Sequence, residues 1–146
     1  GEGSDRSAYR VTAAALTISK TAVVSSDPFN LLVNPKMIPG AVITYTITVA
    51  NGAAGSPATN VTITDSLAAE IAAGRLAFNT QFNDGVDACG VGSGIVVVGD
   101  PTPCKTNTND GDGADFGLSA ATPVTVSGLA IPLSSSAVIK FQVVVQ

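Results

Sequence analysis

Residues 41 to 51 read AVITYTITVAN, and their alternation restricts the fold more than any other feature of the chain. Ala41, Ile43, Tyr45, Ile47 and Val49 share one parity, while Thr44, Thr46 and Thr48 take the other. A side-chain period of two is that of a β-strand. One face is apolar and the other carries hydroxyls, as in an antiparallel sheet with one side on a core and one side in water. The closing stretch SAVIKFQVVVQ repeats the pattern, with Ala137, Ile139, Phe141, Val143 and Val145 against Lys140 and Gln142.

The rest of the chain follows suit. ATNVTITD places Val61 and Ile63 inward and Thr62 and Thr64 outward, and RLAFNTQF and PVTVSGLA read as further strands. Gly, Pro and Asn clusters separate them, and Pro28, Pro35 and Pro39 mark residues 25 to 40 as a long ordered loop. SLAAEIAAG, residues 66 to 74, suits one or two helical turns ended by Gly74. At 146 residues the chain fits one domain. The expected fold is all-β: an antiparallel immunoglobulin-like β-sandwich of about seven to nine short strands. It lacks the immunoglobulin-domain Trp, and Cys89 and Cys104 are too close in sequence to bridge two sheets.

The segment before that sandwich raises a different question. In AYRVTAAALTISK, Tyr9, Val11 and Ala13 alternate with Arg10 and Thr12, but from Leu16 and Ile18 onward the apolar parity is reversed. A strand does not change faces without a break, a bulge or a change of sheet. Residues 1 to 14 therefore read as an N-terminal extension ahead of a domain over residues 15 to 146. Tyr9, Arg10, Val11, Thr12, Ala13 and Ala14 form a candidate intersubunit strand. Donated to an open sheet edge of a second copy, it would satisfy unpaired backbone groups there. A head-to-tail contact of that kind propagates into fibres unless it closes into a ring. The alternative is an edge strand paired within its own domain.

Composition removes several function classes. Charged residues make up 12% of the chain and the net charge is −4, which is unsuited to nucleic acid or anionic membranes. No apolar run approaches the roughly 20 residues of a membrane span. There is no His to activate a Ser or Cys nucleophile, and no paired carboxylates stand out, so an enzyme is not expected. Cys89 and Cys104 are too few for a zinc site and read as a disulfide. The chain begins at Gly1 rather than Met, consistent with an exported protein whose signal peptide has been removed.

Smaller features carry weaker chemistry. Asn109, Asp110, Asp112 and Asp115 stand among glycines, and these residue types suit Ca²⁺, which takes six to eight oxygens from a bendable loop. The spacing departs from an EF-hand, and a solvated loop of local turns accounts for the same residues. No other cofactor is suggested. Lys20 suits an isopeptide bond in type, but no Asn sits on the last strand, so it reads as a surface charge or edge guard. Asn60-Val61-Thr62 matches the acceptor pattern for N-linked sugar and also forms part of a strand; surface glycans on the many Ser and Thr are compatible with this composition.

ISKTAVV, PGAVITYTITVANGAAGSPATNVTITD and SAVIKFQVVV together resemble the conserved-repeat domain of bacterial and archaeal surface proteins, a domain of unknown function. The motifs cover residues 18 to 65 and the last strand. The resemblance implies an immunoglobulin-like fold and an extracellular, cell-surface setting in walls, sheaths or appendages, where such domains usually occur in tandem. One copy with no visible anchor must be held by something else. The expected function is a secreted structural subunit that polymerises with copies of itself into an extracellular, pilus-like filament. The alternative is a monomeric or wall-associated adhesin domain, stabilised by calcium.

Overall fold

The computed structural model describes residues 12–85, 89, 93–116 and 123–146. In chain order its elements are β1 (Leu16–Ser26), β2 (Val42–Asn51), β3 (Ala58–Ser66), α1 (Ala68–Ala72), β4 (Leu76–Phe78), β5 (Ile95–Val98), β6 (Cys104–Lys105), β7 (Ala114–Phe116), β8 (Pro123–Ile131) and β9 (Ser135–Val145). Every pairing among them is antiparallel. The larger sheet runs β1-β2-β9-β5-β6, with β4 also on β9, and the smaller runs β3-β8-β7. The expected all-β, two-sheet architecture is thus present.

The core lies where the alternation puts it. Ala41, Ile43, Ile47 and Val49 are buried, as are Ala137, Ile139, Phe141 and Val143. Directly paired residues share a face of the sheet, so Ile43 beside Val143 and Ile47 beside Ile139 form continuous apolar rows. Opposite them lie Val124, Val126, Leu129 and Ile131 of β8. Tyr45 stacks on Phe141 at 5.2 Å, and Phe78 stacks on Phe116 at 4.3 Å.

Two expected elements came out shorter. RLAFNTQF yields only β4, because after Phe78 the Asn79 side chain accepts a hydrogen bond from the Gln81 backbone N–H and turns the chain. The helical segment yields only α1. Gly74, at φ 66°, ends it by donating to the Ile71 carbonyl.

The 27–40 connection is ordered by one carboxylate. Buried Asp27 accepts from the backbone N–H groups of Phe29, Asn30 and Lys36 and from the Asn30 amide. These bonds hold its carboxyl well below the ordinary carboxylate range, the Asn30 backbone N–H most of all and against the opposing effect of burial. The loop they shape turns Phe29, Leu31, Leu32, Val33 and Met37 into solvent.

Candidate functional site

The two sheets are unequal, and among the described residues the mismatch leaves one side of the sandwich open. β1 ends the larger sheet and β3 ends the smaller. Ile18 pairs with Val49 and Leu16 with Asn51, so both point to the core side of their sheet. Yet Ile18 is 64% exposed and Leu16 is 41% exposed, and among the described residues the smaller sheet ends at β3. On the facing edge, Val61 and Ile63 of β3 pack only partly against the core.

One ion pair spans this opening. The Lys20 ammonium lies 2.6 Å from Asp65 Oδ2 and 4.5 Å from the centroid of the Tyr45 ring. Lys20 pairs with Ile47, and Asp65 with Val124, so both side chains are on inner faces. Lys20 thus stands in the gap between the sheets as well as at an edge.

Farther along the same face, a cavity of about 310 Å³ is lined by Met37, Ile43, Tyr45, Leu76 and Val145, together with Glu70 and Arg75. Glu70 and Arg75 are paired at 2.5 Å with both side chains largely solvent-exposed, which makes them a charged lip on an apolar hole. The Arg75 guanidinium holds the Glu70 carboxyl below its ordinary value.

At the other end of β1 the chain enters the domain. Of the expected intersubunit strand, Tyr9, Arg10 and Val11 lie outside the described residues. Thr12, Ala13 and Ala14 lie along residues 51–56 of their own chain. Ser56 donates its backbone N–H to the Ala13 carbonyl and its hydroxyl to the Thr12 carbonyl. Gly52 donates to the Ala15 carbonyl, and Ala15 to Asn51 Oδ1. Thr12, Ala13 and Ala15 are therefore held by hydrogen bonds within their own chain. Asn51 is 2% exposed, and its Nδ2 donates to the Ser56 and Ile131 carbonyls, so one amide joins the entering chain to both sheets.

The carboxylates of the acidic loop make hydrogen bonds within the loop. Asp112 accepts from the Thr106 and Ala114 backbone N–H groups, and Asp110 from the Thr106 hydroxyl and the Asp112 N–H. Asp115 lies in β7, paired with Thr125. Among the described residues, no three His, Cys, Asp or Glu side chains are grouped so as to hold a metal ion. Instead the Lys105 ammonium, on a residue 5% exposed, sits here. It donates to the Thr102 hydroxyl and the Asp112 carbonyl and pairs with Asp100 at 3.2 Å. Burial raises the Asp100 carboxyl pKa, but hydrogen bonds from Thr102 and Lys105 outweigh it and leave the pKa below the ordinary value. Cys89 and Cys104 form the expected disulfide beside this cluster.

Sequence reasoning missed Lys105, the Asp65 partner of Lys20, and the apolar loop. The last had a signal: FNLLVNPKM is apolar without period 2 or 3.6, so it has no face to bury. Asn60 of the glycan pattern is exposed on β3 at φ 57°.

No protein-family model, curated protein or solved structure matches this chain.

Proposed function

We propose that this chain is a secreted structural subunit with an immunoglobulin-like sandwich, which assembles head to tail into an extracellular, pilus-like filament by passing its N-terminal segment to a neighbouring copy. One observation carries the reading. Among the described residues, β1 and β3 each end their sheet with one edge unpaired, and the inner face between them carries exposed Ile18 and Leu16. Free edges invite a further strand, and proteins that stay monomeric usually cover or charge them. Lys20 supplies some charge, but it is already engaged by Asp65.

The disulfide and the hydroxyl-rich outer strand faces suit life outside the cell. The donated segment is residues 1–11, since Thr12 to Ala15 are bound at home. Electron microscopy of the full chain and of a chain lacking residues 1–11 tests the reading. Filaments are expected from the first, and folded single particles from the second. Filaments from the truncated chain would exclude strand donation, and single particles from both would favour the adhesin-type binding domain.

A further inference from the structure

We infer that the apolar cavity between Met37 and Val145 is the receptor for Tyr9 of a second copy. The inference rests on the filament reading above and adds to it the acceptor site and the anchoring side chain.

The cavity is apolar on its floor and charged at its lip. Met37, Ile43, Tyr45, Leu76 and Val145 supply the apolar lining, and Glu70 and Arg75 the polar groups. Tyrosine has the complementary form, with a large apolar body and a hydroxyl that seeks a partner. Tyr9 is the one aromatic residue among residues 1–11. Its hydroxyl would meet the Glu70 carboxylate or the Arg75 guanidinium at the lip.

Reach decides which copy fills the hole. The chain enters the sandwich where Leu16 pairs with Asn51, and the cavity lies at the level of Tyr45 and Ile43, which pair with Ala22 and Val24. Those residues lie six and eight positions beyond Leu16 along β1, or about 20 to 26 Å at the strand rise. Thr12 to Ala15 lie alongside residues 51–56, farther still from the cavity. Tyr9 precedes Thr12 by three residues, a span of at most about 11 Å. A subunit's own Tyr9 therefore cannot enter its own cavity, whereas that of a neighbour stacked along the strand axis can. Entry point and cavity occupy opposite ends of the domain, which is the arrangement that head-to-tail growth requires.

The cavity end is also the apolar end. Phe29, Leu31, Leu32, Val33 and Met37 are exposed on the loop that Asp27 holds, and Met37 belongs to both the loop and the cavity wall. An ordered apolar patch of this kind beside a hole marks an interaction surface, and a second copy is the occupant that the reach argument supplies.

Photo-crosslinking of the full chain carrying Tyr9→p-benzoylphenylalanine tests the assignment. Under assembling conditions the expected product is an intermolecular crosslink to the peptides containing Met37, Ile43 or Leu76. Crosslinks confined to β3 or to other surfaces would overturn the cavity assignment while leaving strand donation intact. Absence of both assembly and crosslinks would overturn both. As a check independent of the probe, Tyr9→Ala should weaken assembly about tenfold or more, by loss of a buried aromatic. Met37→Glu, an exposed position, should weaken it comparably without changing the melting temperature. Wild-type assembly by either variant would overturn the inference.

Discussion

Lys20 and Asp65 face each other across the open side of the sandwich at 2.6 Å, one from each sheet. The Asp65 side chain is only 13% exposed, whereas that of Lys20 is 39% exposed. The pair is thus half in water, and its worth is about that of a surface bridge, roughly 1 kcal/mol or less. Lys20→Ala should nevertheless cost about 1–2 kcal/mol in urea denaturation, because it leaves a largely buried carboxylate alone. Lys20→Leu combined with Asp65→Leu should recover most of that loss. A single substitution that is neutral would show that Asp65 is adequately hydrated without its partner.

Asn51 joins the entering chain to both sheets through three hydrogen bonds. Asn51→Ala should cost about 2–3 kcal/mol, since each bond is worth about 1 kcal/mol and its buried partners would go unsatisfied. Asn51→Asp should be at least as damaging. It keeps the acceptor for Ala15 but removes both donors to the Ser56 and Ile131 carbonyls. Calorimetry of the two variants checks the order.

Asp27 makes loop order depend on pH. Its carboxyl titrates below the ordinary value in the folded chain. Protons therefore bind the unfolded form first, and the stability it contributes is fully present above about pH 4, the unfolded value. That contribution is lost progressively as pH falls below this toward the folded pKa. Asp27→Asn should flatten this acid limb of the melting curve and lower stability at pH 7. An acid limb unchanged in Asp27→Asn would assign the effect to other carboxylates.

The loop near the disulfide should be indifferent to chelators. The Asp110 and Asp112 carboxylates already accept hydrogen bonds from the loop, and the Lys105 ammonium supplies the positive charge. The melting temperature is expected to be the same with calcium and with a chelator, whereas Lys105→Ala should cost about 3 kcal/mol by leaving Asp100 without its cation. A melting temperature that rises with calcium would instead show that this loop binds the ion.

Reduction of the Cys89–Cys104 bond should destabilise the chain by about 3 kcal/mol, the loop-closure value for a bridge spanning 15 residues. Denaturation with and without reductant measures it directly. A difference below about 1 kcal/mol would mean that the loop is equally restricted without the bond.

The legible parts of this fold were those set by short-range rules. Ile43, Ile47, Val49, Ile139, Phe141 and Val143 are buried as period-2 alternation requires, and Gly74 ends α1 as a left-handed cap should. What stayed hidden depends on which strands become neighbours. Ile18 reads as a core residue by parity, but its exposure follows from the smaller sheet ending at β3, a global property. Lys105 reads as an ordinary loop cation. Its burial comes from Asp100, Thr102 and Asp112 converging on it, which no local pattern announces. The cavity is formed by residues from Met37 to Val145, so no short window contains it.

The junction at Thr12 to Ala15 also has a mechanical meaning. Any tension applied to the residues ahead of it reaches the domain along the axis of β1. β1 is in register with β2 over ten residue pairs, from Leu16–Asn51 to Ser26–Val42. Antiparallel ladder bonds lie perpendicular to the strands, so such a pull loads them together in shear instead of unzipping them one by one. The sandwich is thereby suited to bear force along its length while remaining far easier to peel from the side.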